Sequence, residues 1–363
     1  MKILSRSCSQ FFSIRIYKSN SFCDFLVFIV KLRLRGQAPK ALRWKRLENR
    51  YKSHKQCVND LLGILQHHNV NFSLVNRAEL DRQHLANIDL LVAVGGDGTA
   101  LSAAHFLDHG TIPLLAINSD PIKDEDKDTK KKTDERRSHG ALCMCTASNM
   151  SDRMAKVLHG GGVLKERTRI NCVVKSTFAE TKLVPGLNDI LVAHPSPAAV
   201  SRFRMGWAET VEYENNPPLV GMSGSSFEER STEAYSQYGT VSRFGGEAFD
   251  SVRGLNVWSS GMWISTATGS TAAMAAAGGM PMSKESTDLQ YLIREHIFEG
   301  GEVKAGVDNG FIQKGEKIHL RWNSQKGKIF IDGSHLTHKL ELGDEILISS
   351  DAPPLSIYVS DSE

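Results

Sequence analysis

The sequence lacks the features that define several classes of protein. Its 363 residues include only six cysteines, with no CxxC pair and no matching cluster of histidines, so neither a zinc site nor a disulfide framework is indicated. The cysteines fit a reducing compartment. No apolar run approaches the roughly 20 residues that a membrane-spanning helix requires. The formal net charge is only +3, without a basic stripe carrying interleaved aromatics, so nucleic acid is not an expected partner.

The two ends of the chain bear on its cellular location. Residues 1–23 contain four basic residues, several serines and no acidic residue. This composition is typical of an organelle transit peptide, and an unstructured extension is the alternative. The chain ends in SDSE, which is not a peroxisomal tripeptide. We therefore expect a cytoplasmic or organellar protein, in a mitochondrion, plastid or peroxisome, without choosing among them.

The first half of the chain alternates between strand-like and helix-like patterns. An apolar run, FLVFIV, is followed by a long amphipathic run over residues 40–68 and by a short strand near Val70. The strand IDLLVAV, the helix TALSAAHFLDHG and the strand PLLAIN come next. This order predicts an α/β domain with a parallel sheet over residues 24–160. The mixed charges after Pro121 predict a solvated loop.

The second half has the pattern of a β-rich domain. Short runs such as NDILVAH, KIHLRW and EILISS predict antiparallel strands over residues 161–345. A segment rich in glycine, serine and glutamate, near residues 213–258, is expected to be a mobile insertion. Asp332 and Gly333 in FIDGSH are predicted to form a hairpin turn. Residues 346–363 are expected to pack back on the first domain.

The stretch LLVAVGGDGTALSAAH places an aspartate among glycines between a strand and a helix. Gly95, Gly96 and Gly98 would let backbone amides approach an anion closely and would permit a positive φ. The helix that begins near Thr99 adds free amides and the positive end of its dipole, which suits a phosphate. Beside a phosphate, Asp97 could hold Mg²⁺ or take a proton from an attacking hydroxyl, or it could simply cap the helix.

Two segments farther along the chain offer contacts to a nucleoside. In GLNDILVAH, the amide of Asn188 and the carboxylate of Asp189 suit a ribose diol or an adenine edge, although an ordinary polar turn is the alternative. In STATGSTAAM, hydroxyls and a glycine precede small residues, so a flat ring could lie against the backbone. A packed helix start with a hydroxyl cap is the alternative there. The candidate residues of this segment are Thr268, Gly269, Ser270, Thr271 and Ala272.

The motif GGDGT after a strand resembles the signature of the NAD kinases and of the related diacylglycerol, sphingosine and 6-phosphofructokinases. Asn118 in AINSDP, the pair of Asn188 and Asp189, and the TGSTA segment resemble three further NAD kinase motifs in the family's order. Longer runs, among them LNDILVAHPSPAAVSRF and SSDAPPL, are similar to the plant-type NADH kinase branch. This similarity covers most of residues 40–358.

The resemblance implies transfer of the γ-phosphoryl group of ATP to the 2′-hydroxyl of the adenosine ribose of NADH or NAD⁺, giving NADPH or NADP⁺. It implies that Asp97 is the general base and that the glycines and Thr99 position phosphates. Asn118 and the two downstream segments would bind the dinucleotide. Mg²⁺ would arrive with ATP, without a metal site of the protein's own, and the family usually forms homodimers or higher homo-oligomers.

Several points stay open on the sequence alone. Arg294 in LIREHI could bind a phosphate, with an ion pair as the alternative. Ala272 and Ala273 stand where the family has Ala-Tyr, and Ser260 stands where many members have an acidic residue. These differences leave the preference for NADH over NAD⁺ open. The alternative functions are a GGDGT lipid kinase acting on diacylglycerol or a sphingoid base, and a catalytically idle dinucleotide-binding protein.

Overall fold

A computed structural model describes six stretches of the chain. Two compact units are distinguished, one formed by Met1–Glu166 with Leu355–Glu363 and the other by Arg167–Pro354. In the described stretches, no helix is both long enough and apolar enough to cross a membrane. The described residues are 13–18, 44–76, 79–121, 138–210, 241–298 and 307–361.

The first unit contains a largely parallel sheet. Its strands are β1 (Ser13–Lys18), β2 (Asn71–Asn76), β3 (Leu90–Gly95), β4 (Leu114–Asn118), β5 (Cys145–Thr146), β6 (Val163–Arg167) and β20 (Leu355–Val359). Its helices are α1 (Trp44–His67), α2 (Asp97–Ala104) and α3 (Met150–Leu158), with a 3₁₀ turn at Arg82–Leu85. The strand order is β2-β1-β3-β4-β20-β6, and β5 pairs with β4. Strand β1 pairs in parallel with β2 and β3, and β4 pairs in parallel with β3, β5 and β20.

Strand β1 lies in the segment predicted to be a transit peptide or an unstructured extension. Ile14, Ile16 and Tyr17 are buried, and the strand pairs with β2 on one side and β3 on the other. The prediction is therefore wrong for residues 13–18. The basic and serine-rich composition concealed a short strand pattern whose isoleucines fill the core. Residues 1–12 and the strand predicted at FLVFIV lie outside the described residues.

Helix α1 packs against the sheet through one apolar stripe. Cys57, Val58, Leu61 and Leu65 are buried and join the strand residues of β1, β3 and β4 in one core. Their spacing brings them to the same side of the helix. Burial of each of the three aliphatic side chains contributes about 1.5–3 kcal/mol to the free energy of folding. This packing fixes α1 over the sheet and carries its polar residues to the edge where the strands end.

The second unit is β-rich. Its strands are β7 (Asn171–Lys175), β8 (Glu180–Lys182), β9 (Asp189–Ala193), β10 (Ser201–Thr210), β11 (Val241–Phe244), β12 (Glu247–Ser259), β13 (Met262–Ser265), β14 (Leu289–Ile293), β15 (Asn309–Ile312), β16 (Lys317–Trp322), β17 (Lys326–Ile331), β18 (Leu336–Glu341) and β19 (Glu345–Ser349). A 3₁₀ turn at Gly269–Thr271 precedes helix α4 (Ala273–Ala276).

Two antiparallel sheets form within the described part of this unit. One has the order β11-β12-β10-β16-β19-β7-β8 and the other β15-β14-β13-β9-β17-β18. Their inner faces share one core that includes Phe203, Ile264, Ile329 and Trp322. The predicted fold class, an α/β part with a parallel sheet followed by a β-rich part, is confirmed.

The segment predicted as a mobile insertion is partly ordered. Strands β11 and β12 form an antiparallel hairpin, and Phe244 and Phe249 are buried against Leu347. The prediction is therefore wrong for residues 241–258. Their periodicity is weak because β12 buries residues on both faces of the sheet and its pairing with β10 shifts register. Residues 211–240 lie outside the described part of the chain.

The return of the chain to the first unit differs from the expected boundary at residue 346. Strand β19 pairs with β16 and β7 inside the second unit. The return occurs at Leu355, where β20 joins the parallel sheet beside β4. The apolar run EILISS forms β19 and makes its backbone hydrogen bonds in the antiparallel sheet, as its strand pattern predicted, so only the boundary was placed too early.

Candidate active site

The GGDGT turn lies at the carboxyl end of β3. Gly95 ends the strand, Gly96 is the N-cap residue of α2 with a φ of −111° and a ψ of −169°, and Asp97 is the first residue of the helix. Gly95, Gly96 and Gly98 do not adopt a positive φ, so the expectation that the turn uses this conformation is wrong. Instead, a Cβ at Gly95 would overlap the side chain of Thr99. Close packing is what excludes a side chain from this position.

The other two glycines of the turn have different surroundings. A Cβ at Gly96 would lie 2.5 Å from the Cβ of Ser138, which belongs to a loop that returns to the turn. Within the described stretches, a Cβ at Gly98 would meet no atom within 4 Å, and this residue is exposed. Gly96 is therefore needed for a contact inside the protein, whereas the backbone at Gly98 is open to an approaching ligand.

The carboxylate of Asp97 is held by the loop of residues 138–142. Its Oδ2 accepts hydrogen bonds from the hydroxyl of Ser138 at 2.7 Å and the amide of Gly140 at 3.0 Å, and its Oδ1 accepts one from the amide of Leu142 at 2.8 Å. The Ser138 hydroxyl also accepts a hydrogen bond from the Asp97 amide at 2.8 Å. Among the described residues, the donors to the Asp97 carboxylate all belong to this loop and none to α2. Its orientation is fixed by the loop and not by the helix.

Asn118 is the last residue of β4 and the register neighbour of Gly95. Its side chain is buried, with Nδ2 donating to the carbonyl of Ser138 at 3.3 Å and Oδ1 accepting from the amide of Asp120 at 3.2 Å. Gly140 adopts a φ of +75°, and a Cβ there would lie 2.8 Å from Nδ2 of Asn118. The loop of residues 138–142 thus contacts both Asn118 and the GGDGT turn. Binding of the dinucleotide by Asn118 stays a prediction.

Helix α1 contributes two side chains to the same edge of the sheet. No sequence motif had marked either of them. Nδ1 of His54 lies 2.9 Å from Oγ of Ser119, and Nε of Arg50 donates to Asp120 at 2.6 Å. Burial, followed by the charge of Lys18, lowers the pKa of His54. The carboxyl edge of a parallel sheet is the one general signal that could have drawn attention to these residues.

A cavity of about 390 Å³ opens in the first unit beside Asn118. His139, Gly140, Cys143 and Thr146 are among its lining residues. Burial, with a smaller contribution from the charge of Asp97, raises the pKa of Cys143 above its usual range. The thiol therefore stays protonated and is a poor nucleophile. The cavity suits part of a small ligand and not a cysteine-based reaction.

In the second unit, the two downstream segments singled out in the sequence contact each other. The hydroxyl of Thr266 donates to the carbonyl of Leu187 at 2.5 Å, and its amide donates to the carbonyl of Asn188 at 2.9 Å. A Cβ at Gly269 would overlap the carbonyl oxygen of Asn188. The glycine is thus required by close packing of TGSTA against the turn before β9.

Asn188 and Asp189 present unusual polar groups at this place. Oδ1 of Asn188 is buried and has no hydrogen-bond partner among the described residues. Asp189 is buried, and its burial together with the charge of Asp332 raises its pKa to about 7. A buried acceptor without a donor is rare in folded proteins and is often explained by a ligand. Near neutral pH, Asp189 can exist as either acid or carboxylate.

The remaining predicted residues differ in their surroundings. Ser270 is buried, donates to the carbonyl of Ala267 at 2.8 Å and accepts from the amide of Met282 at 2.9 Å, so its hydroxyl is engaged in holding the turn. Thr268 is half-buried, and Thr271 and Ala272 are exposed. These two exposed residues are free of packing constraints that would keep a ligand away.

Arg294 follows β14 in the second unit. Its guanidinium lies 3.7 Å from the carboxylate of Glu295, and its amide donates to the carbonyl of Gly261 at 2.8 Å. The ion pair foreseen as the alternative is therefore present, although the side chain remains 35% exposed. An exposed pair of this length is weak and leaves the cation available.

Asp332 was predicted to be part of a hairpin turn, and it does lie between β17 and β18. Its carboxylate also accepts hydrogen bonds from three amides: Leu187 at 2.8 Å, Asn188 at 2.7 Å and Asp189 at 3.0 Å. The DG pair signals a turn but not these contacts, because the bonded residues lie 143 to 145 positions away in the chain.

Comparisons with known sequences agree along most of the chain. Residues 37–120 match the family model described as the ATP-NAD kinase N-terminal domain. The chain is 34% identical over 330 residues to the probable NADH kinase of Oryza sativa subsp. japonica, covering 91% of this chain and 88% of that protein. It is 35% identical over 323 residues to the NADH kinase of Arabidopsis thaliana, covering 89% and 88%.

Solved structures share the fold. Yeast NADH kinase complexed with NADH superposes with a TM-score of 0.57 at 16% identity, covering 96% of this chain and 83% of that one. An NAD kinase from Archaeoglobus fulgidus in complex with ATP also gives a TM-score of 0.57, at 15% identity, with coverages of 96% and 94%. At such identities the likeness describes the fold of the two units.

Proposed function

The chain belongs to the NAD kinase family, and we propose that it transfers the γ-phosphoryl group of ATP to the 2′-hydroxyl of the adenosine ribose of NADH or NAD⁺. The products are NADPH or NADP⁺. Two plant NADH kinases that match about nine-tenths of the chain support this assignment. The structural observation that carries it is the Asp97 carboxylate, oriented by three hydrogen bonds at the carboxyl edge of a parallel sheet.

Asp97 is proposed to be the general base. A ribose hydroxyl is a poor nucleophile until a nearby group accepts its proton. Oδ2 of Asp97 already accepts two hydrogen bonds, whereas Oδ1 accepts one, from Leu142. Each carboxylate oxygen has about two acceptor positions, so Oδ1 is the atom with room for the proton. The loop of residues 138–142 then aligns this oxygen, which is the main contribution that a kinase makes to such a transfer.

The open backbone at Gly98 and the start of α2 are proposed to bind phosphates of ATP, with Gly95, Gly96 and Thr99 of the same turn. For the second unit, Arg294 is proposed as a phosphate-binding residue. A phosphate can approach Gly98 because no side chain of the described residues occupies the space beside it. Mg²⁺ is proposed to enter as part of the ATP substrate, with phosphate oxygens among its ligands. In the stretches that the structure describes, no group of three or more His, Cys, Asp or Glu side chains is arranged to hold a metal ion.

The cluster around Asn188 and Asp189 is proposed to bind the adenosine part of the dinucleotide. The buried Oδ1 of Asn188 needs a donor, which an adenine amino group or a ribose hydroxyl can supply. Ionised Asp189 can accept from a ribose hydroxyl. Asn118 is proposed to bind another part of the dinucleotide. The same role is proposed for the TGSTA segment, whose residues are Thr268, Gly269, Ser270, Thr271 and Ala272.

NADH is proposed as the preferred acceptor, because the two plant relatives are NADH kinases. We also propose at least a homodimer, which light scattering of the purified chain would test. The lipid kinase and the idle binding protein are not favoured, since neither explains similarity to NADH kinases over nine-tenths of the chain.

Incubation of the purified chain with Mg²⁺-ATP and either NADH or NAD⁺, followed by chromatographic separation of NADPH and NADP⁺, tests the function. We expect formation of NADPH, with faster turnover of NADH than of NAD⁺. A parallel reaction with diacylglycerol serves as the control for a lipid kinase. Absence of both phosphorylated dinucleotides while NADH still binds would overturn the proposed activity.

A further inference from the structure

The carboxylate of Asp332 binds the backbone of the turn before β9 through three consecutive amides. Oδ2 accepts from Leu187, and Oδ1 accepts from both Asn188 and Asp189, at distances between 2.7 and 3.0 Å. Asp332 is buried. Hydrogen bonds to a charged acceptor are stronger than neutral ones, and a buried carboxylate depends on them for its stability. This contact therefore determines the path of the turn.

The backbone of Asp332 is fixed by the same contact. Its amide donates to the carbonyl of Asp189 at 2.9 Å, so each of the two residues bonds the other. Asp332 also has a φ of +48°, in the left-handed region that residues other than glycine rarely adopt. A strained conformation of this kind persists only where the surrounding structure enforces it, and such conformations cluster at binding sites.

The opposite side of the turn is held by the TGSTA segment. Thr266 donates to the carbonyls of Leu187 and Asn188, and Gly269 packs against the Asn188 carbonyl. The amides of Leu187, Asn188 and Asp189 thus face Asp332, while the carbonyls of Leu187 and Asn188 face Thr266. With both sides of these peptide groups bound, the backbone of Asn188 is held in place, so its buried Oδ1 can move only by rotation of the side chain itself.

Asp332 also influences the charge at the turn. Burial and the negative charge of Asp332 raise the pKa of Asp189 to about 7. Ser265 on β13 is the uncharged register partner of Asp189 on one side. On the other side Ile331 pairs with Ile190, so Asp332, just after β17, is the charged residue next to Asp189. Removing the charge of Asp332 is therefore expected to lower the pKa of Asp189.

We propose that Asp332 is a positioning residue, which fixes the backbone of residues 187–189 and thereby aims Asn188 and Asp189 at the adenosine of the dinucleotide. This proposal rests on the proposed function, because it assigns Asp332 a role in binding NADH. Asp332 does not itself touch the ligand, and its effect passes through the turn. Loss of the contact should weaken dinucleotide binding and leave the phosphoryl transfer step largely intact.

The test compares Asp332→Asn with Asp344→Asn in the full chain. Asp344 is a matched control, because it is buried in the same unit and its Oδ2 accepts from the amide of Glu341 at 2.8 Å, without bonding the turn. The NADH dissociation constant is measured by NADH fluorescence between pH 5 and pH 8.5, and kcat at saturating NADH and Mg²⁺-ATP. Thermal unfolding of both variants measures the structural effect.

We expect Asp332→Asn to weaken NADH binding about tenfold, with kcat within about threefold of wild type. The asparagine side chain carries no charge, and its NH₂ group would face one of the three backbone N–H groups that Asp332 binds. Asp344→Asn should lower the unfolding temperature without changing NADH affinity. In the wild type, affinity should rise as pH increases through about 7 and Asp189 ionises. In Asp332→Asn, this rise should move to lower pH.

Wild-type NADH affinity and an unchanged pH midpoint in Asp332→Asn would overturn the proposal. If that variant does not fold, Asp332→Glu decides the matter, because it retains the charge and displaces the acceptor oxygens. It should bind NADH more weakly with the wild-type pH midpoint, and wild-type affinity would overturn the proposal. A wild-type chain that forms no NADPH contradicts the proposed function instead, whatever the variants do.

Discussion

The two clusters of polar residues use the same hydrogen-bonding groups in opposite ways. At the GGDGT turn, backbone amides and one serine hydroxyl hold the side chain of Asp97, the group proposed to react. At the turn before β9, the carboxylate of Asp332 holds backbone amides and leaves the side chain of Asn188 without a partner among the described residues. The first arrangement orients one charged atom, and the second shapes a binding surface.

This difference predicts which kinetic parameter each cluster controls. An interaction that matters only in the transition state lowers kcat when it is removed, whereas one that contributes equally to substrate and transition-state binding raises KM. Substitutions at the first cluster should therefore affect mainly kcat. Substitutions at the second cluster should affect mainly the affinity for NADH.

The largest effect is expected for Asp97→Asn. The amide cannot accept the proton of the 2′-hydroxyl, so kcat should fall by about 10³-fold or more, while the NADH dissociation constant stays within about tenfold. Steady-state rates of NADPH formation and NADH fluorescence titration measure the two quantities. Near wild-type turnover in this variant would remove Asp97 from the role of base.

Ser138→Ala is expected to have the next largest effect. The variant loses a donor to Oδ2 of Asp97 and the acceptor for the Asp97 amide, so only the amides of Gly140 and Leu142 still hold the carboxylate and its orientation becomes less fixed. Because small errors of alignment are costly in transfer reactions, kcat should fall by up to about a hundredfold, with the KM for NADH unchanged. Ser148→Ala, at an exposed position of the same region, is the control and should keep wild-type rates. A rise in KM alone would contradict the separation of the two clusters.

Gly269→Ala tests the second cluster through packing. The added methyl group would overlap the carbonyl of Asn188 and push the turn out of place. We expect about tenfold weaker NADH binding and a loss of stability of about 1–3 kcal/mol, with little change in kcat. Gly63→Ala in helix α1 is the control, because a Cβ there meets no atom of the described residues within 4 Å. That substitution should stabilise the protein by up to about 1 kcal/mol. Normal NADH affinity in Gly269→Ala would show that the contact is not needed for binding.

The smallest effect is a dependence of stability on pH that originates in the second cluster. The pKa of Asp189 is raised from 3.8 to about 7 in the folded state, so the folded protein retains a proton that the unfolded chain has lost. Stability should therefore fall as pH rises from about 4 to about 7. In Asp189→Asn the loss of stability between pH 5 and pH 8 should be smaller than in the wild type by about 1–3 kcal/mol. Urea unfolding at pH 5 and pH 8 measures it, and an identical pH dependence in both proteins would contradict the prediction.

The sequence alone determined the fold class, the family and the neighbouring positions of the GGDGT turn and Asn118. Hydrophobic periodicity is a local property, and parallel strands place their carboxyl ends at one edge, so these features follow from order along the chain. The short strand β1 was missed because its basic and serine-rich surroundings resemble a transit peptide, and its burial depends on β2 and β3.

Only the tertiary structure decided which groups hold the proposed site residues. Ser138 meets Asp97 across 41 positions, His54 meets Ser119 across 65, and Asp332 meets Leu187 across 145. No local pattern encodes such partners, because a serine, a histidine or a turn aspartate has the same appearance in the sequence whether or not it finds one. The sequence specified the chemical groups, and the packing of strands and loops gave them their distances, their burial and, for Asp189, a pKa near 7.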